Sequence, residues 1–212
     1  MPKGAHICAM HKPFTRMLSA LALGACAAGA APAAQPEAAP SGSRLYLDCA
    51  ACHGRDGGGV GDGSVPAIGG QPARAIAAAL EDFRAGRRKD LRMRHFSDPQ
   101  HLATEAEVAA VAAHVASLRR MSPAGTGDGR RLAEGAALFR RHCASCHGVD
   151  AAAGEAPLRR ALAGQHAGYI GRKMSEGGIS TNEARRHAAL ARQLGGDGVY
   201  AVADHLSRLS PP

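Results

Sequence analysis

Apolar residues recur at helical spacing near the end of each half of the chain. Val108, Val111, Ala112, Val115 and Leu118 follow one another at three- and four-residue steps, and Val199, Val202, Ala203, Leu206 and Leu209 repeat the stripe. Such steps put side chains on one face of an α-helix, so both segments are predicted as amphipathic helices. Thr104, with Glu107 three residues on, is a capping-box pattern opening the first of them. Leu45 and Leu47, and later Leu138 and Phe139, supply apolar positions for a short leading helix in each half. Gly57-Gly58-Gly59 holds too much glycine for regular structure and reads as loop.

The two halves are a repeat. Ile68-Gly69-Gly70-Gln71 returns as Leu162-Ala163-Gly164-Gln165, and Ile76 as Ile170, in each case 94 residues later. The same offset relates Cys49-Ala50-Ala51-Cys52-His53 to Cys143-Ala144-Ser145-Cys146-His147. Each half therefore reads as helix, C-x-x-C-H motif, Gly-rich loop, Gly-Gln turn, helix, a further loop and a terminal helix. Met121 to Gly127 has the composition of a linker. The boundaries that follow are 34–120 for the first domain, 121–128 for the linker and 129–212 for the second domain.

C-x-x-C-H is the attachment signature of a c-type haem. Two thiols three residues apart on a helical turn can each add to one porphyrin vinyl group, and the next histidine then lies beneath the iron. Two alternatives have to be weighed. Paired C-x-x-C sequences can build a Cys₄ zinc site, but that site does not require His and then Gly directly after each pair. A redox-active dithiol belongs in a βαβ context, which neither motif has. Cys49, Cys52, Cys143 and Cys146 are thus candidate attachment points for two haems, with His53 and His147 as iron ligands. Composition agrees. Aromatic residues are 3% of the chain and tryptophan is absent, so each small domain lacks bulk for a core that a covalently held haem would supply.

These segments resemble the class I cytochromes c, and among them the dihaem cytochromes of the c4 type. The resemblance rests on Cys-x-x-Cys-His-Gly in both halves, on the run at 162–170 and on the helix at 111–118. It implies an all-α fold of two tandem class I cytochrome c domains, each enclosing one haem, that shuttles single electrons in the periplasm. It also implies a methionine as the sixth iron ligand, ahead of the last helix. In the first half Met93 fits, 40 residues after His53, with His95 as the rival. The second half departs from the pattern, because no methionine follows Met174 and the counterpart of Met93 is His187. His187 is the expected ligand there; a five-coordinate iron or a long reach by Met174 are the alternatives. Imidazole on both faces favours the ferric state relative to histidine–methionine ligation. Electrons are then expected to arrive at the second domain and leave from the first. The resemblance further places a proline carbonyl behind the proximal histidine. Pro66 answers to it in the first half, whereas the second has Arg160.

Lys3, Lys12 and Arg16 precede an apolar stretch from Met17 to Ala31 and a small-x-small site at Ala31-Pro32-Ala33. Residues 1–33 read as a secretory signal rather than a membrane span. Leu23-Gly24-Ala25-Cys26 also resembles a lipobox, which would attach the protein to a membrane through lipid on Cys26; a partner complex is the other route to a membrane. The formal charge of +8 falls to +5 without the three basic leader residues, and four haem propionates bring it near neutrality. With few aromatics to stack on bases, nucleic acid is not an expected partner. Arg84, Arg87, Arg88, Lys89, Arg92 and Arg94 nevertheless cluster, either as a solvated face or as a surface that steers an acidic redox partner. His114 and His205, at equivalent places on the terminal helices, are read as packing or surface residues, and His101, His142 and His166 as solvated residues.

The leading functional expectation is an electron carrier between a donor and an acceptor such as a dehydrogenase or an oxidase. The alternatives are a dihaem oxidoreductase of the peroxidase or thiosulfate dehydrogenase kind, a subunit of a dehydrogenase complex, and a haem-based sensor. Carbon monoxide separates them, since a carrier with two saturated irons resists it.

Overall fold

A computed structural model describes residues 40–121, 123–152, 160–176 and 182–211, with side chains from residue 185 in the last stretch. The expected signal sequence over 1–33 and the lipobox-like stretch ending at Cys26 lie outside the described residues. Among the described residues there are helices and no strands. The first half contains α1 (Gly42–His53), α2 (Ala73–Arg84), α3 (Leu91–Phe96) and α4 (Glu105–Ser117), and the second contains α5 (Leu132–His142), α6 (Ala144–His147), α7 (Ala167–Glu176) and α8 (Asn182–Ser207). All belong to one compact unit, Ala38–Pro212. No described helix is long and apolar enough to cross a membrane.

In each half the leading helix crosses the terminal helix at a glycine. A Cβ on Gly42 would stand 2.1 Å from the Ala110 carbonyl oxygen, and one on Gly135 would stand 2.0 Å from that of Ala201. Only hydrogen fits between these backbones. The crossing also stacks Tyr46 on His114, with ring centroids 5.2 Å apart, and Phe139 on His205 at 6.2 Å. His114 and His205 are thus packing residues at equivalent crossings. The stripe of α4 faces inward as its spacing requires, with Val108, Val111, Ala112 and Val115 buried. The capping box forms in full: Thr104 Oγ1 accepts from Glu107 N–H, and Glu107 accepts from Thr104 N–H. In α8, Val199, Val202, Ala203 and Leu206 are buried. Gly195, at φ 67° and ψ 174°, divides α8 and sets the terminal stretch apart from the turns that carry His187.

The leading helices differ from the sequence expectation in two ways. Leu47 is 59% exposed and Tyr46 fills the core position instead. Phe139 also stands four residues before its cysteine, whereas Tyr46 stands three before its own. The shorter spacing keeps α1 continuous through His53. With the extra residue, Cys143 leaves helical geometry (φ −121°, ψ −36°) and separates α5 from α6. Each half has its own small core, one around Ile76, Leu80, Leu102 and the α4 stripe, the other around Phe139, Ile170, Val202 and Leu206.

Candidate functional sites

Cys49, Cys52 and His53 occupy the last turns of α1, and His53 is 6% exposed. Its Nδ1 lies 3.0 Å from the Pro66 carbonyl oxygen. A carbonyl can only accept, so Nδ1 carries the proton and Nε2 keeps a lone pair. Burial holds His53 below its ordinary pKa, and a neutral imidazole is the form that binds metal. Cys49 packs against the first core while Cys52 is exposed. Burial pushes the Cys49 and Cys143 thiols up to about 11. Redox-active dithiols depend on the opposite shift. Nor are the cysteines gathered into a zinc centre: no group of three or more His, Cys, Asp or Glu among the described residues could hold a metal ion.

Met93 stands within the short helix α3 rather than in an open loop, and its side chain packs against the first core. Asp90 caps that helix, accepting from Arg92 N–H and Met93 N–H at 3.0 and 3.1 Å. Arg84, at the end of α2, donates to the Ser97 and Leu102 carbonyls at 2.8 and 2.7 Å and to Glu81 at 3.0 Å. Its guanidinium therefore ties the segment after α3 to α2. Arg88 is buried, lies 4.3 Å over the Phe83 ring and donates to Tyr169 of the second half at 3.3 Å. These two arginines are structural members of what the sequence presents as a basic surface cluster, because their stems cover apolar surface while their heads meet carbonyls and a ring. Arg87, Lys89, Arg92 and Arg94 are exposed. His95 is exposed, with its Nε2 3.2 Å from His101 Nε2.

In the second half Cys143, Cys146 and His147 lie on and beside α6. The His147 and His187 rings are brought together, with centroids 6.1 Å apart and planes 30° from parallel. Met174 lies within α7 and packs against the second core.

The halves meet through side chains whose role the sequence reading did not assign. Gln71 Nε2 donates to the Ala161 carbonyl, and Ala161 N–H donates to Gln71 Oε1, both at 2.9 Å. In reciprocal fashion Gln165 Nε2 donates to the Ala67 carbonyl at 2.7 Å and Ala67 N–H donates to Gln165 Oε1 at 3.0 Å. Both glutamines and both alanines are buried, and both pairs are related by the 94-residue offset. That two glutamines recur at one offset was visible in the sequence; that each reads the other half's backbone was not. His166 is 1% exposed, which corrects its reading as a solvated residue. Gly125 N–H donates to its Nδ1 at 2.9 Å, so Nε2 carries the proton and donates to the Gly58 carbonyl at 2.7 Å. Arg120 donates to the Gly164 and Ala163 carbonyls at 2.7 and 3.1 Å.

Compared with known proteins, the chain matches the cytochrome c family over residues 39–119 and again over 132–197. It belongs to that family. It is similar to a thiosulfate dehydrogenase electron acceptor of Stutzerimonas stutzeri, 32% identical over 77% of this chain and 79% of the relative. It is also similar to cytochrome c4 of Pseudomonas aeruginosa, 30% identical over 94% of this chain and all of the relative. The reduced cytochrome c4 structure from Pseudomonas stutzeri shares the fold, with a TM-score of 0.69 at 23% identity over 80% of this chain and 97% of that one. The protein is accordingly a dihaem, cytochrome c4-like electron carrier with two covalently bound haem c groups, one per cytochrome c domain. The residues present fit that group: each half holds a C-x-x-C pair directly ahead of a histidine, and in the first half the commitment of His53 Nδ1 to a carbonyl leaves Nε2 available to a metal.

Proposed function

We propose that Cys49 and Cys52 hold one haem, with His53 and Met93 as its axial ligands, and that Cys143 and Cys146 hold the other, with His147 and His187. A c-type haem supplies one-electron ferric–ferrous chemistry whose potential follows its axial ligands. The observation that carries the unequal pairing is the His147–His187 geometry. The two rings are brought within 6.1 Å of each other in a domain whose C-x-x-C-H motif ends at His147, so both imidazoles would be at hand to hold one haem iron. In the first half, Met93 packs inward while His95 is exposed and turned to His101, which favours the thioether. The second domain is then the lower in potential, and electrons pass from it to the first. The basic leader and apolar stretch at 1–33 support a periplasmic location.

Magnetic circular dichroism of the ferric protein tests both pairs. One histidine–methionine and one bis-histidine signature are expected, with two waves on redox titration. A methionine signature for both irons would overturn the assignment. His187→Ala should open the second iron to carbon monoxide and leave the first unreactive.

The Stutzerimonas relative favours a specific donor class, a thiosulfate-oxidising dehydrogenase. In this reading the chain receives electrons from that enzyme and is not itself the catalyst. Reduction of the ferric protein by thiosulfate only when such a dehydrogenase is present would support it; reduction by thiosulfate alone would make this chain the enzyme.

A further inference from the structure

The Pro66 carbonyl that accepts from His53 Nδ1 and the Ala67 N–H that donates to Gln165 Oε1 are the two ends of one peptide group. A peptide unit is planar and conjugated. An acceptor facing its N–H end polarises that bond and pushes electron density through the amide onto its oxygen, and hydrogen bonds in series polarise one another. Gln165 is fixed in this task, because its Nε2 donates to the Ala67 carbonyl at 2.7 Å and its Oε1 also accepts from His166 N–H at 3.0 Å. His53, Ala67 and Gln165 are 6%, 3% and 5% exposed, so water has little access to replace a lost bond.

We propose that Gln165, in the second half, is a positioning residue for the iron ligand of the first half, acting through the Pro66–Ala67 peptide. By making the Pro66 oxygen a better acceptor it gives the His53 ring more imidazolate character, which favours the ferric state of the first haem. Gln71 makes the matching pair of bonds to Ala161, but the carbonyl end of that peptide belongs to Arg160 and not to the proline behind His53. The proposal rests on His53 being the proximal ligand of the first haem.

The test compares Gln165→Met, Gln165→Glu and Gln71→Met as haem-loaded proteins, each checked for two haems per chain. Gln165→Met should raise the potential of the histidine–methionine haem by about threefold in the ferrous-to-ferric ratio, less than the tenfold loss of a direct partner brings. For one electron at 59 mV per tenfold that is ~28 mV. Its His53 Nδ1–H resonance in the reduced protein should move upfield as the hydrogen bond weakens. Gln165→Glu keeps an acceptor for Ala67 N–H and should fall below Gln165→Met in potential. Gln71→Met removes as many bonds between the halves and should leave the first haem's potential and the His53 resonance unchanged. An unshifted first-haem potential in Gln165→Met, or an equal shift in Gln71→Met, overturns the proposal. Should Gln165→Met fail to load haem, Gln165→Glu against wild type decides: ionising the carboxyl that faces Ala67 N–H must move the His53 Nδ1–H resonance downfield, and a lowered potential without that movement overturns the proposal. Absence of a histidine–methionine haem in the wild type would instead show that the ligand reading had failed.

Discussion

At the level of single residues, the same side-chain type serves opposite ends in this molecule. His53 gives Nδ1–H to a carbonyl and keeps Nε2, whereas His166 does the reverse, with Nδ1 accepting from Gly125 and Nε2–H given to Gly58. Burial, the largest cause, lowers the pKa of His166 from 6.5; the Gly58 bond opposes it in part, Arg120 lowers it further and Asp62 raises it least. A histidine depressed in the folded state binds fewer protons there than when unfolded. Its contribution to stability is full above about 6.5 and declines as the pH falls through 6.5 toward the lower folded value. Thermal unfolding of the haem-loaded protein from about pH 7.5 down to pH 5 should therefore show a steeper loss for wild type than for His166→Gln. Equal slopes would remove His166 from the account. Arg84 is the other decisive residue. Arg84→Lys retains the charge but loses the fork that reaches Ser97, Leu102 and Glu81, and should cost about 1–3 kcal/mol. In that variant the thioether-to-iron absorption of the first haem should fade on heating before the helical signal does.

At the level of elements, two helix crossings and one helix break shape the sites. Gly42→Ala and Gly135→Ala each push a methyl into a carbonyl oxygen. Either should cost about 1–3 kcal/mol through backbone displacement, measured as a lowered denaturation midpoint of the loaded protein. An unchanged midpoint would mean that the crossings are looser than drawn. Thr104→Ala, which removes one arm of the capping box, should cost about 0.5–2 kcal/mol. The repeat also shows how similar geometry can rest on different residues. Gly57 at φ 69° accepts from Ile68 and Gly69 N–H, and Ala151 at φ 59° accepts from Leu162 and Ala163 N–H. Ala151 holds the left-handed conformation with its methyl buried in the second core. At Gly57 a methyl would meet the Gly69 nitrogen at 2.6 Å.

At the level of the whole molecule, the exposed charge offers a face to a redox partner. Leu91, 84% exposed, stands among exposed Arg87, Lys89, Arg92 and Arg94 beside the helix that carries Met93. An acidic redox partner should be drawn to this face. Reversing Lys89 and Arg94 to glutamate should lower its association rate by tenfold or more at low salt and leave both potentials unchanged, with the difference shrinking as salt is added. Stopped-flow reduction across a salt series measures this. Much of this protein was legible in its sequence. The doubled C-x-x-C-H motif announces two covalently bound haems, and is the basis for proposing His53 and His147 as ligands, because the chemistry demands those residues at that local spacing. The apolar stripes and Thr104–Glu107 mark α4 and the end of α8 because helical periodicity and capping are local as well. The joining of the halves was not legible. Gln71 and Gln165 read backbone amides 90 and 98 residues away, and Arg88 and His166 look like surface residues until folding buries them. Hydrogen bonds to backbone leave no signature in side-chain pattern, since any residue supplies the same amide. Only the packed chain decides which side chain meets it.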